Sequence, residues 1–173
     1  MHSMIDKMCF SPYYADIHMK KITYFIIAAA VIIADQLTKY AVRSAMQPGD
    51  RIPVIGDWMS IYYVQNTGTA FSMFAGNRLV TVAFTSLLII ICLIVIIRED
   101  KAGHKVIPVL LTFVCAGGIS NMIDRLRLGF VTDMISCGSF AVFNVADIAI
   151  TCGCILTMIA LLVLYKDEET SDE

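Results

Sequence analysis

The sequence predicts an all-α integral membrane protein, with four transmembrane helices and a small extracytoplasmic β-sheet. Hydrophobic residues fill 58% of its 173 positions and charged residues only 16%, against roughly 45–50% and 25% in soluble domains. Three long runs, Leu79–Ile97, Val106–Ile123 and Ile148–Tyr165, carry no charge, and each approaches the ~20 residues a helix needs to cross a bilayer core. Between the runs lie short polar segments that contain β-rich stretches. The mean hydropathy of +0.74 agrees. With 10 Gly and 4 Pro the chain is neither collagen-like nor disordered, and a formal net charge of −2 gives no basic footprint for nucleic acid.

The first span begins at Ile22 and extends to about Val42, interrupted by Asp35, Gln36 and Lys39. No small-residue cleavage site follows it, so it is a helix carrying polar groups and not a cleaved signal peptide. Lys20 and Lys21 precede this span, Arg98, Lys101 and Lys105 fill the loop between the second and third, and Lys166 follows the fourth. By the positive-inside rule both termini are cytoplasmic, including the acidic tail 167–173. Residues 1–18 show no periodicity, and Met19-Lys20-Lys21 resembles a start, so they read as a dispensable extension to the membrane domain, residues 19–166. On the outer side, Met59–Val64 is β-rich after the breakers Pro53 and Gly56. Phe130–Ile135 and Phe140–Phe143 flank Cys137-Gly138-Ser139, the pattern of a hairpin. Such a sheet would lie on the outer face of the bundle.

Ionisable groups at membrane depth are the informative ones. Gly117, Asn121 and Asp124 share one face of the third helix, and Asn144 and Asp147 open the fourth. The two helices run antiparallel, so Asp124 and Asp147 are expected at one outer level. Each also has a structural reading: Asp147 with Asn144 as a capping pair, and Asp124 as a partner of Arg125 or Arg127. Asp35 and Lys39, four apart, read as a mutually neutralising pair. Asn66-Thr67-Gly68 suits a close backbone approach or a plain turn. Asp133 reads as an exposed strand residue or an arginine partner, and His18 and His104 suggest no site. Of the six cysteines, Cys92, Cys115, Cys152 and Cys154 lie in apolar runs and read as packing residues. Cys9 and Cys137 have no neighbour spaced for a metal site.

Four stretches together resemble the lipoprotein signal peptidase (signal peptidase II) family. They are Asp35-Gln36-Leu37-Thr38-Lys39, Asn66-Thr67-Gly68-Thr69-Ala70-Phe71, Gly117-Gly118-Ile119-Ser120-Asn121-Met122-Ile123-Asp124-Arg125 and Phe143-Asn144-Val145-Ala146-Asp147. Order and placement on the four spans match over about residues 20–166, with Thr69 standing where the family pattern has alanine. The resemblance implies an aspartyl endopeptidase of the bacterial cytoplasmic membrane, its active site at the outer face. Such an enzyme removes the signal peptide from diacylglyceryl-modified prolipoproteins just before the lipid-modified cysteine. It implies Asp124 and Asp147 as the catalytic pair, with Asn121, Arg125 and Asn144 orienting them or the substrate. Asp35, Lys39, Asn66 and Gly68 would be the remaining polar site positions, under an outer β cradle. No metal or cofactor is implied; the partners are the prolipoprotein and membrane lipid, and the chain is expected to be a monomer.

Two other classes compete. A metal-dependent membrane phosphotransferase would need several carboxylates around cations, where only two are expected to converge. An ion carrier would spread polar groups across the bilayer depth, where here they collect at the outer end. Helix dipoles would make Asp147, at a helix N-terminus, the ionised member of the pair and Asp124, at a C-terminus, the neutral one. Arg125 opposes that assignment.

Overall fold

A computed structural model describes residues 12–68, 77–138 and 141–171. Its elements are α1 (Pro12–Ala45), β1 (Arg51–Ile55), β2 (Met59–Asn66), α2 (Arg78–Lys101), α3 (Val106–Leu128), β3 (Val131–Cys137) and α4 (Val145–Ser171). Four helices are long and apolar enough to cross a membrane, over Lys20–Ala45, Arg78–Lys101, Val106–Leu128 and Val145–Val163. The expected spans sit inside these limits apart from the C-terminal end of α4. α1 also runs back to Pro12, so part of the expected extension continues the first helix.

The α3 helix is the hub. Half of its span is buried, whereas the other three present most of theirs to lipid, as expected where lipid tails solvate apolar side chains. Glycines let its neighbours close on it. A Cβ on Gly117 would fall 2.5 Å from the Ala146 carbonyl oxygen at the start of α4, and one on Gly153 would fall 2.7 Å from Val114 Cγ2. Asn77 caps α2 by accepting the Val80 N–H (3.2 Å). At the end of α3, Gly129 takes φ +86 and donates its N–H to Arg125 O. That left-handed residue is the C-cap that turns the chain directly into β3.

The sheet is antiparallel in the order β1-β2-β3. The ladder partner of β3 is β2, with Ile61 opposite Ile135 and Asn66 opposite Val131. The expected hairpin return contributes a single bridge, Phe143 to Ile135; Ser139 and Phe140 lie outside the described residues. Pro53 does not end the sheet but sits in β1, an edge strand, where a missing N–H costs no ladder bond. Tyr63 and Met134 pack with Val42 and Met46 at the C-terminal end of α1, which fixes the sheet over that end of the bundle. Among the cysteines, Cys115 is buried as expected, while Cys152 and Cys154 are exposed on the lipid side of α4 and contribute no interior packing.

Candidate active site

Asp35 and Lys39 form the expected i,i+4 pair (2.7 Å), both fully buried, but their reach is longer than one helix. Asp35 Oδ2 accepts the Ser120 hydroxyl of α3 (2.7 Å), and its Oδ1 accepts the Ala146 N–H in the first turn of α4 (2.9 Å). Asp35 thus ties three helices together and places an anion at the positive end of α4. Lys39 Nζ also donates to Asn121 Oδ1 (2.8 Å) and lies 3.3 Å from Asp124 Oδ2. One ammonium is shared by two carboxylates and an amide, as a buried cation requires.

At the start of α4, Asn144 and Asp147 form a reciprocal cap. Asp147 N–H donates to Asn144 Oδ1 (2.9 Å) and Asn144 N–H donates to Asp147 Oδ2 (3.2 Å). The other carboxylate oxygen, Asp147 Oδ1, accepts from Asn121 Nδ2 (2.8 Å). The amide of Asn144 has two further hydrogens. It donates one to Asn121 Oδ1 (3.1 Å) and the other to Asp133 Oδ1 (2.7 Å). Asp133 Oδ2 accepts from Asn66 Nδ2 (2.9 Å), whose own Oδ1 accepts the Gly68 N–H (2.9 Å). Asp133 is 2% exposed, and burial pushes its carboxyl up to about 6. The Asn66 hydrogen bond opposes this, the Asp147 charge adds to it, and Asn144 and Lys39 oppose it again.

The geometry corrects the expected pairing. Asp124 shares no hydrogen-bond partner with Asp147. Its Oδ1 accepts from Gln36 Nε2 (3.1 Å) and faces Arg43 NH1 (3.9 Å), while its Oδ2 accepts the Thr132 N–H (3.1 Å) beside Lys39. The α3 residue level with Asp147 is Asn121, three positions earlier, or about 4.5 Å along the helix. Asp124 lies past the start of α4 and meets α1 and β3 instead. Among the described residues neither Arg125 nor Arg127 forms an ion pair with it, although Arg125 lies within its electrostatic reach. Asp133, expected to be exposed or arginine-paired, is the carboxylate joined to Asp147 through Asn144.

The remaining expected residues converge. Arg125 is 8% exposed and donates from NH2 to Gly68 O (3.0 Å). Its Nε finds no partner among the described residues, and Asp147 and Asp133 lie within electrostatic reach. Asp35, Lys39, Asn66, Gly68, Asn121, Arg125, Asn144 and Asp147 therefore belong to one connected polar network. Sequence reasoning missed Asp133, Gln36, Thr132 and Arg43. The available signal was Asp133 itself, an acid inside a β-rich stretch between Thr132 and Met134.

Buried carboxylates thus cluster at one end of a bundle of four helices long and apolar enough to cross a membrane. A model of the Signal peptidase (SPase) II family matches residues 27–163. A lipoprotein signal peptidase of Shouchella clausii is 34% identical over 85% of this chain and 97% of its own length. That of Moorella thermoacetica is 36% identical over 81% and 93%. Two solved bacterial membrane enzymes share the fold. One has a TM-score of 0.74 at 31% identity, covering 87% of this chain and 91% of its own, and the other 0.68 at 34%, covering 81% and 92%. The chain belongs to the signal peptidase II family, and it is a multi-pass membrane protease.

Proposed function

We propose that this protein is an aspartyl endopeptidase with Asp133 and Asp147 as its acid pair. It cleaves diacylglyceryl-modified prolipoproteins on the amino-terminal side of the lipid-modified cysteine. The observation that carries this reading is Asn144, which holds Asp147 by its backbone N–H and Asp133 by its side-chain amide. Two carboxylates held by one residue can share one proton. The proton rests on Asp133, whose carboxyl burial pushes up. Asp147, half-buried at the positive end of α4, takes a proton from water as the water oxygen attacks the scissile carbonyl. Asp133 gives its proton to the carbonyl oxygen. On collapse of the tetrahedral intermediate the C–N bond breaks, the leaving cysteine nitrogen takes the proton from Asp147, and Asp133 takes back a proton from a hydroxyl on the same carbon as its C=O re-forms, which restores the pair. The products are a signal-peptide carboxylate and a free α-amino group on the lipidated cysteine.

Asn121 and Asn144 orient the pair, and Arg125 holds the Gly68 carbonyl beside it. Asp124 belongs to the support of the site. The basic residues Lys20, Lys21, Arg98, Lys101 and Lys105 place both termini and the α2–α3 loop in the cytoplasm. The acid pair then opens at the outer surface, where a lipid-anchored substrate presents its cleavage site. The protein acts as a monomer.

The test is incubation of purified protein with a lipid-modified prolipoprotein, followed by sequencing of the new N-terminus. Asp133→Asn and Asp147→Asn should each lower turnover by at least about 1,000-fold, within the range for losing an acid–base group from a unit. Asp124→Asn should retain measurable turnover in its folded fraction. An inactive Asp124→Asn beside an active Asp133→Asn would restore the pairing expected from the sequence.

A further inference from the structure

The Asp133 carboxylate is aimed by what holds its neighbour. In a strand, adjacent side chains point to opposite faces, so fixing Thr132 on one face of β3 sets Asp133 on the other. Thr132 is fully buried and is held at two points. Its N–H donates to Asp124 Oδ2 (3.1 Å), and its hydroxyl accepts from Arg43 NH1 (2.9 Å). The same Arg43 nitrogen lies 3.9 Å from Asp124 Oδ1. The three groups close a ring between the outer ends of α1 and α3 and the first turn of β3.

We propose that Arg43 is a positioning residue for the peptidase reaction, acting through Thr132 to hold Asp133 against Asn144 and Asp147. This rests on the reading of Asp133 and Asp147 as the acid pair. Arg43 touches neither carboxylate of that pair; among the described residues its contacts are Thr132 and Asp124. It is also one-fifth exposed, so its ion pair with Asp124 lies partly in solvent and contributes little stability. The hydrogen bond to a fully buried hydroxyl is the part that carries direction. A guanidinium suits this place because one planar group can face both a hydroxyl and a carboxylate.

Loss of the clamp should appear in kcat and not in KM, because the substrate is bound elsewhere while the acid is misplaced. Small displacements of a reacting group can cost on the order of 100-fold. Full-length Arg43→Ala and Thr132→Val should therefore each lower kcat by about 10- to 100-fold with KM within about twofold. The double variant should be no slower than the slower single variant, since each breaks the same contact. Thr132→Ser, which keeps the hydroxyl, should recover most of the lost kcat. Turnover is measured on a lipid-modified prolipoprotein peptide in mixed micelles, with thermal unfolding of each variant as the control.

Single variants within twofold of the native kcat would overturn the proposal, as would additive losses in the double variant. If Arg43→Ala does not fold, Thr132→Val and Thr132→Ser decide the matter by themselves. Asp133→Asn is run alongside. If it still turns over, the acid-pair reading falls; if it is inactive while the clamp variants are normal, only the role of Arg43 falls.

Discussion

Replacing Asp133 by Asn should change stability with opposite sign at low and high pH. The folded protein holds this carboxyl at about 6 against an ordinary 3.8. Between those values the folded chain binds more protons than the unfolded one, so native stability falls as pH rises through the window and is level above it. The shift corresponds to about 3 kcal/mol lost by pH 8, and to under about 1 kcal/mol at pH 4. Asn is isosteric and uncharged, so it escapes this loss. It can still accept from Asn144 or Asn66, but not from both, which costs about 1 kcal/mol at any pH. Asp133→Asn should therefore be more stable than the native protein by about 2 kcal/mol at pH 8 and slightly less stable at pH 4. For a chain of this size that is roughly 4–8 °C in midpoint at pH 8. Thermal unfolding of both proteins in the same micelles, at half-unit steps from pH 4 to 8, measures it. Asp147 titrates with Asp133, so the crossover belongs to the pair. A difference of constant sign and size across the range would refute the view that burial raises the Asp133 carboxyl.

Three further outcomes follow from the same contacts. Lys39→Met should cost about 3–5 kcal/mol of stability by leaving Asp35 and Asp124 buried without their cation, and adding Asp35→Asn should return part of it; denaturant titration of the single and double variants checks this. Gly117→Ala should cost about 1–3 kcal/mol through overpacking against Ala146 O and should lower kcat, because α4 carries Asp147 away from Asn121; unfolding and turnover of one preparation test both. Cys137→Ser should cleave at the native rate, since the cysteine is a free thiol outside the polar network; a loss of activity in folded protein would contradict that.

The four spans were legible because the bilayer sets helix length, and apolar runs such as 79–97 state that length directly. The Asp35–Lys39 pair and the Asn144–Asp147 cap were legible because both are local, three or four residues apart. What the sequence concealed is long-range. Asn66 and Asp133 are 67 positions apart, and Lys39 and Asn121 are 82 apart. Asp133 was expected at the surface through a rule that holds for sheets with one wet face, where an acid in a strand points to solvent. The first four residues of β3 are all buried, so alternation in this strand separates two interiors. Asp124 was misread because matching helix ends fixes a level only to within about a turn, or 5.4 Å. That interval is enough to exchange Asn121 for Asp124 opposite Asp147.

The charges of the whole network explain why one proton belongs to the acid pair. Four acidic side chains, Asp35, Asp124, Asp133 and Asp147, gather at one end of the bundle. Lys39 lies between Asp35 and Asp124, Arg43 beside Asp124, and Arg125 within reach of Asp147, Asp133 and Asp124. The acidic side chains outnumber these basic ones by one, in a region that solvates charge poorly. Lys39 and Arg43 make their direct ion pairs with Asp35 and Asp124, Lys39 also acts electrostatically on Asp133, and Asp133 is more buried than Asp147. On the reading proposed above, the Asp35–Lys39–Asp124 cluster stands outside the chemistry and acts on the acid pair through the charge of Lys39.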